Sequence, residues 1–257
     1  MVRLEQIKSI RNKLNNNQAT IGTWQQIPNP SISEILGKSG YDWVAIDMEH
    51  GSISIEKLPD LFRAIEMSDV LPLVRIAESK PKDCRQALDA GAGGIIAPMI
   101  DSAEKLEIIK DSCCWPPAGN RGVGFSRANL FGRFFEKYNL EAQSPLLIAQ
   151  IENINAVNNL EEILQVDGLD AIIVGPYDLS ASMGITGNFQ NEKFVNIQLQ
   201  IINLCKKYNV PYGDHIVQPD SNLLHKRITE GYTFLAYSLD SVFLYTSSNN
   251  PITDNSV

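Results

Sequence analysis

The chain has 257 residues, a length common for one large α/β domain, and an ordinary globular composition of 44% hydrophobic and 20% charged residues. A formal net charge of −8 and a pI near 5.0 exclude the surface-wide positive field that attracts nucleic acid or anionic membranes. The cysteines, Cys84, Cys113, Cys114 and Cys205, lack CxxC spacing and scaffold density, which points to reduced thiols and a cytoplasmic protein, and no apolar run of about 18 residues is present to span a membrane.

Residues 1–18 place Leu4, Ile7, Ile10 and Leu14 at helical spacing among charges, which predicts an N-terminal helix and not a signal peptide. A β-like run at 19–24 ends in a Pro-Asn-Pro turn, after which Ser31 or Ser33 caps a helix that stops at Gly40. Strands are predicted at 43–47, 71–75 and 94–98, with helices at 55–67, 82–89 and 102–113. A Pro/Gly/Arg loop at 115–124 and an aromatic, charged insertion at 127–143 interrupt the alternation. It resumes with a strand at 146–151, a helix at 153–165 and a strand at 171–174, then a helical stretch at 188–208 and a strand at 210–214. A helix at 220–230, a strand at 233–236 and a helix at 240–245 lead into a polar, flexible tail at 246–257. Eight strands alternate with eight helical segments and no Gly-, Ser- or Pro-rich linker divides them. The whole chain, 1–257, therefore reads as a single-domain (β/α)8 TIM barrel, with a doubly wound sheet as the runner-up.

In such a barrel the C-terminal strand ends share one mouth, where chemistry is done. The residues at those ends are Trp24, Gln25, Asp47, Glu49, His50, Arg75, Gln150, Glu152 and Asp178, with Asp214 and His215 at the end of a weaker strand. Glu152 and Asp178 each follow an apolar run within one strand-helix-strand unit, so both carboxylates reach the same rim. There they are candidates for a hard cation such as Mg²⁺ or Mn²⁺; the alternative is that each merely caps the next helix. Lys57, Lys80 and Lys82 lie in helices or loops with polar neighbours and none stands at a strand end, which disfavours Schiff-base chemistry. His215 lines the mouth or is structural, and His225 reads as a surface residue of a helix.

The segments YDWVAIDMEHG (41–51), LVR (73–75), ALDAG (87–91), PPAGNRGVG (116–124), AQIE (149–152) and GPYDLSASMG (175–184) follow an order that resembles the metal-dependent pyruvate aldolases of the HpcH/HpaI hydroxyketoacid type. The resemblance runs from about residue 20 to 245 and implies a (β/α)8 barrel of the pyruvate/phosphoenolpyruvate superfamily. It implies a divalent metal, Mg²⁺ or Mn²⁺ with Co²⁺ as an alternative, held by Glu152 and Asp178. Gln150 would lie beside the keto acid, with Gly175 and Pro176 at its pocket; Arg75 would contact the oxygen that becomes the enolate, and His50 paired with Asp89 would serve acid/base chemistry, while Trp24 reads either as a wall of the substrate pocket or as a buried packing residue. The implied reaction is reversible cleavage of a 4-hydroxy-2-oxo acid to pyruvate and an aldehyde through a metal-stabilised enolate. It needs a proton removed from the C4 hydroxyl by a metal-bound hydroxide or by a histidine held by a carboxylate. Asp47 and Glu49 would support His50 and the metal's waters.

The resemblance also implies a homo-oligomer, a trimer or hexamer. Met48 stands where the family often has glycine, and the final segment has less apolar content than a swapped C-terminal helix would. Folded over the mouth, the insertion would select the aldehyde, with Arg127 or Arg133 on an acidic or phosphorylated tail; the other reading is a surface or interface loop. The loop at 116–124 lacks the GxxxxGK[ST] phosphate cradle and reads as a turn shaping the mouth. Competing functions are another enolate reaction, either decarboxylation of oxaloacetate or cleavage of a malyl- or citryl-CoA ester, and a non-catalytic barrel subunit.

Overall fold

A computed structural model of the chain describes residues 2–250. Eight parallel strands pair in sequence order and close into a barrel: β1 (Thr20–Gln25), β2 (Trp43–Asp47), β3 (Leu71–Arg75), β4 (Gly94–Ala97), β5 (Leu146–Ile151), β6 (Ala171–Val174), β7 (Tyr212–Ile216) and β8 (Phe234–Leu239). Every residue of β2, β3 and β5 is buried, which explains why these strands read as unbroken apolar runs without polar alternation. Their outward faces pack on helices through residues such as Val44, Val74, Phe62, Ile65, Leu106 and Ile163.

The barrel interior is a packed core at its N-terminal end. Trp43 stacks on Phe234 with ring centroids 4.5 Å apart, and a Cβ on Gly22 would lie 2.0 Å from the Trp43 ring, so β1 needs glycine where β2 supplies the largest side chain. The first helix, α1 (Val2–Asn15), inserts Ile7, Ile10 and Leu14 into the same cluster and closes that end. Ion pairs from Arg11 to Asp170 (2.6 Å) and from Lys13 to Asp42 fasten it to residues that precede β6 and β2. The helix is shorter than the predicted 1–18 because Asn17 turns into a left-handed conformation (φ 54°).

Helix α2 (Pro30–Lys38) is capped by Asn29, whose side chain accepts from the Ser31 N–H; Ser33 is buried instead and donates to Gln25 at 2.8 Å. A 3-10 turn precedes α3 (Leu58–Glu66), α4 (Pro81–Ala90) ends at Gly91 (φ 114°), and Ser102, the first residue of the predicted helix, is the cap of α5 (Ala103–Cys113). The helix expected at 153–165 divides at Asn159 into α7 (Ile154–Asn158) and α8 (Leu160–Ile163), which follow α6 (Phe135–Ala142) and β5.

An unforeseen helix, α9 (Pro176–Ser182), starts directly after β6, before α10 (Glu192–Tyr208). Strand β7 begins at Tyr212 because Pro211 has no N–H for the ladder, and its later start carries His215 into the strand. Helix α11 (Ser221–Thr229) precedes β8, and α12 (Asp240–Ser247) runs past the predicted 245, into the segment read as tail. Residues 251–257 of that tail lie outside the described residues. No helix among the described residues is long and apolar enough to cross a membrane, and all four cysteines are free and buried.

The insertion does not cover the mouth. Arg127 donates to the Ala90 carbonyl (2.9 Å) and pairs with Glu66, while Arg3 of α1 donates to the Ala128 carbonyl (2.7 Å) and pairs with Glu141 and Glu66 at 2.8 Å. A helix that follows a strand runs antiparallel to it, so Ala90, in the last residue of α4, lies at the N-terminal end of the barrel. The insertion therefore wraps α1 at the closed end. Arg127 is committed there, and Arg133 lies over Phe134 at 5.7 Å. The loop at 115–124 belongs to the same end: buried Arg121 sits over Trp115 (5.6 Å), donates to the Tyr138 hydroxyl (3.0 Å) and lies 3.5 Å from Asp89.

Candidate active site

Strands β2 and β3 end in register with Asp47 beside Arg75. The Arg75 guanidinium donates through Nε and Nη2 to the two Asp47 oxygens at 2.9 and 2.7 Å. Its Nη1 lies 3.2 Å from Glu49 Oε2, and its carbon sits 4.5 Å over the Trp24 ring. A planar donor fork gripped on its edges and stacked on one face is a fixed positive charge. Asp47 also accepts from the Gln26 amide (2.8 Å) and from the backbone N–H groups of Glu49 and His50 at 3.1 and 3.3 Å. Burial alone would raise the Asp47 acid, but Arg75 and Gln26 hold it below its ordinary value. Glu49 is pushed upward, first by burial and then, against Arg75, by the Asp47 and Asp178 carboxylates.

Across the mouth, β5 presents Gln150 and delivers Glu152 one residue past its end. The Gln150 amide and the Met99 backbone N–H both donate to Glu152. Met99 follows β4 in a left-handed conformation (φ 52°), which aims that N–H. Burial raises the Glu152 acid to about 7; the neighbouring Glu49 and Asp178 carboxylates push the same way, against the two donors. Strand β6 approaches closely, since a Cβ on Gly175 would lie 2.9 Å from both the Cβ and Oε2 of Glu152 and 3.2 Å from Gln150 Nε2. Pro176 then opens α9, whose first turn carries Asp178.

These ends surround a cavity of about 340 Å³ lined by Trp24, His50, Arg75, Gln150, Gly175, Pro176 and Asp178, among others, with Glu152 buried behind it. No set of three or more His, Cys, Asp or Glu forms a closed metal cage among the described residues. Two carboxylates suffice for Mg²⁺ or Mn²⁺, which keep most coordination positions for waters and substrate oxygens. The donor set fits such an ion: Glu152, buried among carboxylates, is short of positive charge, and the buried Gln150 Oε1 has no hydrogen-bond partner among the described residues.

Asp89 is not part of this arrangement. It lies in the last turn of α4, at the closed end, beside Arg121, whereas His50 is at the rim of the mouth with Glu49 as its charged neighbour at 3.9 Å. The expected His50–Asp89 pair is therefore not made within this chain. Asp214 also faces away, bonded to Arg227 at 2.7 Å, and Gln25 turns to the carbonyls of Ile27 and Asn29. Gln26, Met99, Tyr177, Val217 and Leu239 belong to the mouth or its support without having been singled out in the sequence. Met99 leaves no signal there because it acts through its backbone.

His215 does face the cavity, tilted against Trp24 with centroids 5.4 Å apart and its Nε2 3.4 Å from the Ser238 carbonyl. Burial, and then the Arg75 charge, lower its pKa to about 4 from 6.5. The folded state thus favours the neutral ring. The stability this confers is fully present above pH 6.5 and is lost as pH falls toward 4. Between pH 7 and pH 5 the wild-type unfolding free energy should fall by about 2 kcal/mol more than that of a His215→Gln variant. Urea titrations at the two pH values check this, and equal losses in both proteins would reject it.

The HpcH/HpaI aldolase/citrate lyase family model matches residues 20–246. The hydroxypyruvate/pyruvate aldolase of Roseobacter denitrificans is 32% identical over 249 residues, covering 95% of each chain. The 2-dehydro-3,6-dideoxy-6-sulfogluconate aldolase of Pseudomonas putida is 33% identical over 238 residues, covering 92% of each. Among solved structures, an HpcH/HpaI aldolase/citrate lyase family protein from Burkholderia cenocepacia superposes with a TM-score of 0.87 at 28% identity, over 93% of this chain and 96% of that one. The match spans all eight strands and the whole mouth, and the chain belongs to the HpcH/HpaI aldolase/citrate lyase family.

Proposed function

We propose that this protein is a divalent-metal-dependent aldol lyase that reversibly cleaves a 4-hydroxy-2-oxo acid to pyruvate and an aldehyde. Relatives named as aldolases of keto acids support the reaction class. The observation that carries the reading is Glu152, a carboxylate buried behind the cavity among the charges of Glu49 and Asp178, with the clamped Arg75 in the cavity wall. Glu152 and Asp178 would hold Mg²⁺ or Mn²⁺, or alternatively Co²⁺. When bound, the ion supplies Lewis-acid stabilisation to the keto oxygen of the substrate.

The chain's own residues do the rest. Gln150 and Trp24 orient the keto acid, and the absent side chain of Gly175 keeps room beside Glu152. Arg75 places fixed charge where the enolate oxygen develops, and because Asp47, Glu49 and Trp24 already hold it, little reorganisation is needed during the reaction. His50, at the rim, takes the C4 hydroxyl proton as the C3–C4 bond breaks; the electron pair stays on C3, which is then protonated to give pyruvate. A homo-oligomer in the cytoplasm accompanies this reading, supported by the exposed Phe125, Phe131 and Leu140 around the closed end.

Purified protein with Mg²⁺ or Mn²⁺ should release pyruvate from at least one of a panel of 4-hydroxy-2-oxo acids in a lactate-dehydrogenase-coupled assay. Chelator should stop the release and added metal restore it. No pyruvate from any member of the panel would sink the proposal.

A further inference from the structure

Strand β8 carries one extra residue near its end. Gly22 of β1 pairs with Ala236 and Trp24 with Leu239, so a single β1 residue, Thr23, faces two on β8, Tyr237 and Ser238. Ser238 holds a left-handed conformation (φ 55°), which favours glycine, and its buried hydroxyl has no hydrogen-bond partner among the described residues. The serine side chain itself offsets neither cost. What the neighbours hold is the Ser238 backbone carbonyl: Thr23 Oγ1 and His215 Nε2 each lie 3.4 Å from it. A carbonyl only accepts, so Nε2 carries the ring proton, and the neutral ring favoured at this site is sufficient for the bond.

The extra residue changes what β8 presents to the mouth. Phe234 and Ala236 point into the barrel, and in an unbroken ladder Ser238 would follow them; Leu239 takes that place instead and lines the cavity opposite Trp24. His215 braces this end from β7. Its ring lies tilted against Trp24 with centroids 5.4 Å apart, and Arg75 stacks on Trp24 at 4.5 Å. Trp24, Arg75 and Ser238 are all buried within one chain, so these contacts need nothing from a second copy.

We infer that His215 is a positioning residue: its ring N–H holds the carbonyl of the strained Ser238, and through the bulge and Trp24 it fixes the orientation of Arg75. Strained backbone persists only where its surroundings hold it, and here Thr23 and His215 supply the hold. This deepens the aldolase reading above and rests on it, because the charge that Arg75 places serves the enolate of that reaction.

The test pairs His215 with Ser238. His215→Leu keeps an apolar contact for Trp24 but removes the N–H, whereas His215→Gln keeps an N–H of similar reach. Ser238→Gly relieves the left-handed strain and with it the need for the hydrogen bond. Enolate formation is read as deuterium exchange into pyruvate with Mg²⁺ in deuterated water, over a series of pyruvate concentrations. His215→Leu should lower kcat about tenfold and change KM less than about threefold, because the charge of Arg75 matters most in the transition state. His215→Gln should stay within about threefold of the wild type, and adding Ser238→Gly to His215→Leu should recover most of the loss. Near-ultraviolet circular dichroism without substrate gives an independent reading: the band that Trp24→Phe removes should also fade in His215→Leu and return in the double variant. A packing role alone predicts that His215→Leu outperforms His215→Gln and that Ser238→Gly recovers nothing. That pattern, or an unchanged Trp24 band in His215→Leu, overturns the inference. Absence of exchange in the wild type overturns the aldolase reading, and the circular dichroism then decides by itself whether His215 positions Trp24.

Discussion

A Glu152→Gln variant is expected to form the pyruvate enolate about 10³-fold more slowly than the wild type while folding at least as well. The substitution is nearly isosteric, and its surroundings can accept it. The new amide oxygen still takes the Met99 N–H, and a flip of the Gln150 amide lets Gln150 Oε1, which has no partner now, accept from the new NH₂. What is lost is the charge needed to hold a divalent cation. What is relieved is a carboxylate buried beside Glu49 and Asp178, so metal-free stability at neutral pH should rise by about 1 kcal/mol or more. Deuterium exchange into pyruvate measures the first effect and urea denaturation in chelator the second. A variant that lost stability and rate together would assign Glu152 a structural role instead.

Replacing Arg75 should separate fixed charge from fold. In Arg75→Lys a single ammonium keeps the charge but cannot span both Asp47 oxygens, reach Glu49 and stack on Trp24 at once. The expected loss in kcat/KM is about 10²-fold or more, with a fall in stability of about 1–2 kcal/mol. Arg75→Leu removes the charge and leaves Asp47, buried at 1% exposure, without its cation, which should cost about 3–5 kcal/mol. Kinetics with both variants, read beside their denaturation midpoints, check the pair of claims. Equal stability of the leucine variant and the wild type would mean that the Asp47–Arg75 pair contributes nothing to the fold.

Much of the barrel was legible because parallel strands buried on both faces write themselves as short apolar runs. The predicted bounds at 43–47, 71–75, 146–151 and 171–174 coincide with β2, β3, β5 and β6. The same logic brought Arg75, Gln150, Glu152 and Asp178 to one rim, since each stands at or just beyond a strand's C-terminal end. Elsewhere local signals competed. No helix was predicted between 174 and 188, yet Gly175-Pro176 opens α9, because proline suits the first helical position as well as a turn. The weaker runs of β7 and β8 were placed early, which left His215 at the edge of a strand that in fact aims it inward.

Asp89 and the insertion show a different limit. Chain connectivity alone carries the end of α4, and the loop that leaves α5, to the closed end of the barrel, so Asp89 cannot meet His50 in one chain, nor Arg127 the mouth. By itself the sequence determined the eight-fold alternation and which strand ends share the mouth, because burial periodicity and strand direction are local properties. Only the tertiary structure decided that Asp47 clamps Arg75, that the Met99 N–H steers Glu152 and that Gly175 makes room for it. Those contacts join segments distant in the chain, and their hydrogen-bond geometry exists only once the strands have settled into register and buried Asp47, Arg75 and Glu152.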